Sequence, residues 1–552
     1  MDDYNAKYQL WVEKATDEEV KAQLAVLSKD QIKENFYCDL SFGTAGLRGE
    51  LGAGTNCLNV YTIRKATQGV AECMKAHGHT VASVSCDSRI NSQLFARTTA
   101  EVFASNGIKT YLTRELMPTP FLSYLTRETG SQVGVMITAS HNPAKYNGYK
   151  VYGSDGCQLT DNYANEMTDY IAKIDPFEVK TLTVEEYEKQ GLIEYASDDV
   201  IEKYLQTVHS HANGTAEGIK ITYSPLNGAG YKLVPEILRR IKADRIDIVA
   251  EQAMPDGNFT TCSYPNPEKA EALALGMEAV KENGSDILIA TDPDCDRVGI
   301  AVPVENGYRL MTGNEVGVLL TDYLLATKKE QGILPERPVI VKTIVTSELI
   351  RKVIAPYNAE LFDVLTGFKY IGAVIAKLEE KGEENRYILG FEESYGYLSG
   401  TYVRDKDGVV ASMLIAEMTA YYKKQGKTLV DRLNEIYAQY GLYEHKQVRF
   451  DFPGSAGIAL MNEILQSVRE NMPTQIAGMK VIKAIDYLTQ TEFDLPPANV
   501  LSFSLKDGSQ LIMRPSGTEP IVKIYLTACK DEKYNAEKFA QMTEYLNTVF
   551  VK

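Results

Sequence analysis

Residues 138–143 read Thr138-Ala139-Ser140-His141-Asn142-Pro143, directly after the apolar run Val133 to Ile137. A short apolar run bounded by turn residues reads as a buried strand. In an open parallel sheet, ligands gather at the carboxyl ends of strands. Proline fixes its own φ and keeps the preceding residue out of the helical region, so Asn142-Pro143 turns the chain sharply. These signals predict that Ser140 is presented on an exposed loop, where an activated hydroxyl can carry a covalent intermediate. No G-x-S-x-G elbow surrounds it, and the neighbouring His141 is not thereby a triad base. Read alone, the run is more simply a polar loop.

A second motif, Asp292-Pro293-Asp294-Cys295-Asp296-Arg297, follows the apolar run Ile287 to Ala290. Carboxylates at alternate positions of an extended loop can converge on one hard cation. Mg²⁺ holds oxygens at ~2.1 Å in near-octahedral geometry and often keeps a phosphate as partner. An EF-hand does not fit, because the sixth loop position is Arg297 rather than glycine and the twelfth is Pro303 rather than glutamate. A solvated acidic turn is the competing reading, and the apolar runs on both sides oppose it.

Near the end of the chain stands Arg514-Pro515-Ser516-Gly517-Thr518-Glu519-Pro520, with Lys523 just beyond. A guanidinium, two hydroxyls and a glycine that frees backbone N–H groups suit a phosphate, although a β-turn after Gln510 to Met513 explains the same residues. Glu392-Glu393-Ser394-Tyr395-Gly396 follows Tyr387 to Phe391 and suits sugar hydroxyls, or equally an exposed acidic turn. Two glycine-rich stretches carry no nucleotide signature. Gly426-Lys427-Thr428 has Tyr421 where a P-loop needs its first glycine, and Gly43 to Gly49 is not G-x-G-x-x-G.

In their chain order, 138–143, 292–297, 392–396 and 514–520, the four loops resemble those of the α-D-phosphohexomutase superfamily, the phosphoglucomutases and phosphomannomutases. The resemblance runs from about Phe42 to the end. The opening Phe42-Gly43-Thr44-Ala45-Gly46-Leu47-Arg48-Gly49 is most similar to the phosphoglucomutase-2-type branch, which includes phosphopentomutases. The resemblance implies an α/β fold, with three related α/β domains with mixed sheets plus a smaller C-terminal α+β domain around a central cleft. The boundaries expected are 1–215, 216–311, 312–442 and 443–552.

The resemblance also implies roles. Ser140 would be phosphorylated and would complete a Mg²⁺ site with Asp292, Asp294 and Asp296. Arg48, His141, Lys150 and Lys406 match the groups that serve proton transfer, with base and acid unassigned between them. Glu392 and Ser394 match sugar-hydroxyl contacts, and Thr366, Gly367 and Lys369 lie in the loop that distinguishes substrate orientations. Arg514, Ser516, Gly517 and Thr518, followed by Lys523, match the site of the non-reacting phosphate. Arg297 would touch the phosphoserine or lie beside the metal, and Asp87 and Arg89 would support the serine loop. The implied reaction isomerises a sugar 1-phosphate through glucose 1,6-bisphosphate, which is both intermediate and activator. A pentose or mannose phosphate is an alternative substrate, and a phosphoserine-forming phosphatase or a non-catalytic sugar-phosphate sensor is an alternative function. Phe391 stands where many relatives have glycine, and Tyr395-Gly396 replaces the Gly-His of the phosphoglucosamine and bacterial phosphomannomutase types.

Composition sets the frame for these loops. A chain of 552 residues exceeds the ~250–300 at which single cores stop growing, so several domains are expected. The formal net charge of −16 argues against a nucleic-acid or membrane surface, leaving phosphate recognition to local cations. Eight scattered cysteines with no C-x-x-C pair and no zinc spacing, and an acidic start without signal-peptide character, fit a cytoplasmic protein. A monomer or homodimer acting on a small sugar phosphate is expected. Strand-loop-helix units recur at Val81 to Ser105, Ile219 to Ile241 and from Val339, predicting parallel sheets and a triplicated unit. Asp507-Gly508 between Val500 to Leu505 and Gln510 to Met513 predicts a hairpin, Val522 to Thr527 a further strand, and Ala536 to Phe550 an amphipathic helix. The first forty residues read as helical, with Leu10, Val12, Val20, Leu24 and Leu27 as the apolar positions. Because phosphate and catalytic motifs lie in separate domains, the last domain is expected to close over substrate. Solution scattering at saturating substrate should therefore show compaction.

Overall fold

The computed structural model describes residues 3–43, 46–305, 307–516 and 520–551, with the backbone alone at 454–456. They form two compact units, Met1–Pro335 with Phe368–Thr428, and Glu336–Gly367 with Leu429–Lys552. Among the described residues no helix is long and apolar enough to cross a membrane, and the eight cysteines are free.

The first unit contains a six-stranded mixed sheet in the order Leu47–Glu50, Tyr146–Gly153, Val133–Ile137, Val81–Cys86, Lys109–Leu112, Ile193–Tyr195. From Val133–Ile137 onward the strands run parallel, joined through helices such as Ser92–Ser105, and the first two run antiparallel. A five-stranded sheet repeats the scheme in the order Gly307–Met311, Val298–Val304, Ile287–Thr291, Lys220–Ser224, Arg245–Ile248. Its parallel strands again meet an antiparallel return at Ile287–Thr291 and Val298–Val304. Tyr387–Glu392 and Gly396–Leu398 make a third antiparallel return.

The parallel-sheet reading thus holds only as far as each motif-bearing strand, because the chain then reverses into its own sheet. All three reversals contain a non-glycine residue in the left-handed region: Ser140 at φ 51°, Cys295 at φ 53° and Tyr395 at φ 67°. Such residues cost on the order of 1–2 kcal/mol each and persist where the surroundings over-determine them. Equivalent strain at the same point of three repeats is physical evidence for the triplication, and it marks the loops as the places where geometry is held against local preference.

In the second unit, Val339–Thr343 and Glu360–Val364 pair in parallel across helix Leu349–Ile354. A six-stranded antiparallel sheet follows, in the order Glu444–Asp451, Ile521–Ala528, Gln510–Pro515, Leu501–Leu505, Met479–Asp486, Gln475–Ile476. Helices Gly454–Glu470 and Glu532–Phe550 cover it, burying Met461, Leu465, Met542 and Leu546 against Phe503 and Ile524. The expected hairpin forms at Asp507-Gly508, with Gly508 at φ 89°, a backbone state that glycine adopts without strain.

The amino-terminal segment corrects one expectation. Helices Asp3–Lys14, Glu18–Val26 and Lys29–Phe36 form, and Val20 and Leu24 are buried, but Leu10 and Val12 are 43% and 48% exposed. The inward stripe is Tyr4, Tyr8, Trp11 and Ala15, spaced by three or four residues, which leaves 10 and 12 outside it. Trp11 anchors the segment by edge contacts to Phe36, Tyr61 and Phe177.

A buried carboxyl in this unit predicts a pH effect. Glu417, 1% exposed on helix Gly408–Lys424, accepts from the backbone N–H of Asn213 at 3.0 Å and from the Tyr323 hydroxyl at 3.3 Å. Burial pushes it up to about 8 from an ordinary 4.5. A raised folded-state value means the proton stabilises the fold. That contribution is complete below 4.5, declines as pH rises, and is gone above about 8. Its full size is on the order of 5 kcal/mol. Glu417→Gln should therefore gain melting temperature over the parent between about pH 5 and pH 9, by several degrees, as scanning calorimetry at both pH values would read. An unchanged difference between variant and parent across that range would contradict the burial argument.

Candidate active site

All three carboxylates of the 292–296 loop are buried, and one oxygen from each lies within 4.8 Å of the others. Their remaining oxygens are occupied. Asp292 Oδ1 accepts from the backbone N–H groups of Asp296 and Arg297, both at 3.0 Å, which closes the loop on itself. Asp294 Oδ2 accepts from Thr119 Oγ1 at 3.0 Å and Lys150 Nζ at 2.9 Å. Asp296 Oδ2 lies 3.0 Å from Lys406 Nζ and 3.6 Å from Lys150 Nζ. Asp294 Oδ1 and Asp296 Oδ1 are buried with no hydrogen-bond partner, and Asp292 Oδ2 accepts from the Ser140 hydroxyl at 2.9 Å. Two aspartates therefore keep an oxygen without a hydrogen bond, and the third shares its oxygen with Ser140 alone. Orphaned buried carboxylate oxygens are costly unless a cation claims them, so this donor set fits a hard divalent ion.

The electrostatics agree. Burial and the neighbouring Asp294 and Asp296 carboxylates drive Asp292 well above the ordinary range. Burial works against the charge on Asp294, but Lys150 outweighs it and holds that carboxyl low. Burial likewise opposes the charge on Lys150 and on Lys406. For Lys150 the carboxylates of Asp294 and Asp296 prevail, and for Lys406 those of Asp296 and Asp405, so both ammoniums are held above the ordinary lysine range.

Ser140 is 4% exposed, which corrects the expectation of an exposed hydroxyl. The cause is Arg89, itself buried, whose guanidinium donates to the carbonyls of Pro143 at 3.0 Å and Tyr146 at 2.9 Å, and to those of Ser140 and Asn142. It gathers the loop inward around one cation. Asp87 completes the clamp by accepting from Thr138 Oγ1 at 2.6 Å, and Thr138 Oγ1 accepts from the Ser140 N–H at 2.8 Å. His141 Nδ1 lies 3.1 Å from Ser140 Oγ. Burial first, then Arg297 and Arg48, push its imidazole well below the ordinary histidine range, so the ring is held neutral.

Lys150 and Arg48 lie on adjacent antiparallel strands, Lys150 on Tyr146–Gly153 and Arg48 opposite Gly148. Arg48 Nη1 is 3.5 Å from Asn142 Oδ1, so it reaches the serine loop. Gly46 lets the chain enter this strand: a Cβ there would lie 1.8 Å from the Tyr149 carbonyl. Arg297 pairs with Glu268 at 2.9 Å and lies 3.8 Å from Asp296, beside the carboxylate cluster.

The sugar-loop residues reach the same place. Glu392 is buried at the end of its strand and helps hold Lys406 and Arg297 protonated, whereas Ser394 is half-buried in the reversal. Lys406 is fixed by Asp296 and Asp405, with its ammonium 5.6 Å from the Phe368 ring. Lys369 differs: its Nζ is paired with Asp161 at 2.5 Å. Gly396 determines the path of Lys406, because a Cβ there would lie 2.1 Å from Lys406 Cδ. Gly396→Ala should displace that ammonium and lower kcat by about 10- to 100-fold with the fold intact. Steady-state kinetics and circular dichroism together test this, and an unchanged kcat would show that the position of Lys406 is not critical.

In the second unit, Arg514 stands directly across the sheet from Lys523, and the Ser516 N–H donates to the Ile521 carbonyl at 2.9 Å. Arg514, Lys523 and Ser516 are thus together, while Gly517 and Thr518 lie outside the described residues. Thr366 and Gly367 also belong to this unit, with the Thr366 hydroxyl buried and lacking a hydrogen-bond partner and Gly367 at φ 124°.

Several participants are absent from any motif. Thr119 holds Asp294 through its hydroxyl and also donates its N–H to the Asp294 carbonyl at 2.8 Å. Gly228 and Gly408 flank the metal loop, since a Cβ would lie 2.4 Å from Pro293 Cα at the first and 2.5 Å from the Cys295 carbonyl at the second. Glu268, Thr119 and Gly228 carry no local signal, and only the packing of distant segments brings them to the loop, whereas Asp405 and Gly408 belong to the run Arg404-Asp405-Lys406-Asp407-Gly408 that carries Lys406.

Comparison with known proteins agrees in extent and order. The phosphoglucomutase/phosphomannomutase alpha/beta/alpha domains I, II and III match residues 39–178, 201–305 and 312–440, and the C-terminal domain of that family matches 463–544. A phosphoglucomutase of Staphylococcus haemolyticus is 34% identical over 526 residues, covering 93% of each chain. One of Staphylococcus epidermidis is 35% identical over 537 residues, covering 94% of this chain and 96% of its own. Among solved structures, the open form of Paramecium parafusin (a phosphoglucomutase) superposes with a TM-score of 0.70 at 19% identity, over 93% of this chain and 95% of its own. A phosphoglucomutase/phosphomannomutase family protein of Burkholderia thailandensis superposes with a TM-score of 0.69 at 17% identity, over 92% and 97%. At that identity, the likeness is one of fold: three related α/β domains and a C-terminal domain.

Proposed function

Since the chain belongs to the phosphoglucomutase/phosphomannomutase family, we propose that it is a phosphoglucomutase, interconverting α-D-glucose 1-phosphate and glucose 6-phosphate through a phosphoserine at Ser140. The observation that carries this reading is the Ser140 hydroxyl, 2.9 Å from Asp292 and adjoining three buried carboxylates, two of which keep an oxygen without a hydrogen bond. Asp292, Asp294 and Asp296 would hold one Mg²⁺, together with an oxygen of phosphorylated Ser140. When bound, that ion supplies Lewis-acid neutralisation of the transferring phosphoryl group.

In the proposed reaction the phosphoryl group moves from Ser140 Oγ to the free hydroxyl of the sugar phosphate. Glucose 1,6-bisphosphate turns over in the site and its other phosphoryl group returns to Ser140. The charge directions divide the roles. Lys150 and Lys406, held protonated, stabilise negative charge on the equatorial oxygens. Neutral His141, 3.1 Å from Ser140 Oγ, is placed to take the serine proton when the phosphoryl group returns. Glu392 and Ser394 would bind sugar hydroxyls, with Thr366, Gly367 and Lys369 distinguishing the two orientations. Arg514, Ser516, Gly517, Thr518 and Lys523 would hold the non-reacting phosphate, and Arg48 and Arg297 the phosphoserine.

The test is a rate comparison with Mg²⁺ and trace glucose 1,6-bisphosphate on glucose 1-phosphate, mannose 1-phosphate and ribose 1-phosphate. The highest kcat/KM is expected on glucose 1-phosphate, with no release of free phosphate. A ribose or mannose preference would reassign the substrate, and free phosphate as the main product would replace the mutase reading with a phosphatase.

A further inference from the structure

A second set of metal-ligating side chains occurs in the first unit, on helices that carry none of the residues proposed for catalysis or substrate binding. Cys73 lies in the last turn of helix Val60–Ala76, His77 caps that helix, and Glu166 lies on helix Asp161–Ile171. A spacing of four along a helix puts Cys73 and His77 on one face. The two helices pack closely, since a Cβ at Gly69 would lie 2.5 Å from the backbone of Ile171. One donor atom from each of Cys73, His77 and Glu166 consequently lies within 4.8 Å of the other two. His77 Nε2 is 2.9 Å from Glu166 Oε1. Cys73 is buried beneath them, while the His77 and Glu166 side chains are 43% and 41% exposed, so the cluster opens to solvent on one side. His79 stands beside it, its ring 5.7 Å from that of His77 and its Nδ1 3.4 Å from the Tyr163 hydroxyl.

We propose that Cys73, His77 and Glu166 form a second metal site, selective for a late first-row divalent ion such as Zn²⁺, with His79 or water in the fourth position. One sulfur, one imidazole nitrogen and one carboxylate oxygen are a borderline-soft donor set that favours Zn²⁺ over Mg²⁺. Tetrahedral zinc, with Zn–S about 2.3 Å and Zn–N about 2.0 Å, would have to enter between donors of which two, His77 Nε2 and Glu166 Oε1, now touch at 2.9 Å, so that pair must part slightly. Rotation of the two half-exposed side chains supplies that movement, and the thiol proton leaves to solvent as the metal–sulfur bond forms. The ion would join the end of one helix to the middle of another, stabilising the unit without taking part in turnover.

Cobalt substitution tests this with a readout that carboxylates cannot produce. The reduced, metal-stripped full chain is titrated with Co²⁺ in excess Mg²⁺, which competes for the aspartate cluster. A thiolate-to-cobalt charge-transfer band with tetrahedral-intensity d–d bands should appear, saturate at about one Co²⁺ per chain, and be bleached by an equivalent of Zn²⁺. Cys73→Ser should abolish the charge-transfer band. Because that residue is buried, the surface variants His77→Gln and Glu166→Gln form a second arm, each weakening Co²⁺ by about tenfold or more while glucose 1-phosphate turnover is retained. No charge-transfer band, a band that survives Cys73→Ser, or unchanged affinity in both surface variants would overturn the proposal.

Discussion

Ser140→Ala is expected to lower kcat on glucose 1-phosphate by at least about 10⁴-fold, because the proposed reaction has no phosphoryl carrier without that oxygen. The backbone should tolerate the change. Serine and alanine meet the same steric cost at φ 51°, and the clamp built by Arg89 and Asp87 acts on carbonyls and on Thr138, not on the Ser140 side chain. What is lost locally are the hydrogen bonds of Ser140 Oγ to Asp292 Oδ2 and to His141 Nδ1, the first leaving a buried carboxylate oxygen unpaired at a cost of about 1–3 kcal/mol in metal-free protein. Two measurements separate chemistry from folding. Transfer of labelled phosphate from glucose 1,6-bisphosphate to protein should vanish, while affinity for glucose 6-phosphate by calorimetry is retained. Residual turnover above about 1% would mean that another group carries the phosphoryl, and the proposed mechanism would fall.

Lys150→Met should combine a large loss of rate with a stability defect that depends on metal. Lys150 is buried and sits 2.9 Å from Asp294 and 3.6 Å from Asp296, so its single positive charge faces two of the three clustered carboxylates. Removing one member of a buried ion pair typically costs about 3–5 kcal/mol, because the partner charge stays behind. The metal-free variant should therefore melt well below the parent. A divalent cation on the freed oxygens compensates the same charge, so saturating Mg²⁺ should raise the melting temperature of the variant by more than it raises that of the parent. The rate should stay down by about 10²- to 10³-fold even then, since a positioned cation at the transferring phosphoryl group is gone. Equal Mg²⁺ stabilisation of variant and parent would show that Lys150 and the metal do not share the carboxylates.

How far the sequence alone reaches depends on the range of the interaction. Strands such as Val133–Ile137 and Ile287–Thr291, the Asp507-Gly508 hairpin and the helix ending at Phe550 were legible because apolar periodicity and turn chemistry act over a few residues. The carboxylate spacing of the 292–296 loop is likewise local, and it already indicated a hard cation. Leu10 and Val12 misled because they are apolar yet lie off the stripe that Trp11 buries, and which face of a helix is covered depends on what packs against it. Burial of Ser140 was illegible for the same reason. It rests on Arg89, 51 positions away, donating to loop carbonyls that any sequence would present.

Tertiary structure also decided which oxygen of Asp294 and of Asp296 is used and which remains, through Thr119, Lys150 and Lys406 from three separate segments. It brought Cys73 and His77 to Glu166, a meeting that no spacing motif announces. Residue types and short spacings determine which chemistry a chain can attempt and where it turns, since those energies are local. The pairing of charges, the exclusion of water and the accessible face of each element depend on contacts between residues far apart in the chain. Those contacts form only once the whole core has offset the entropy of bringing them together.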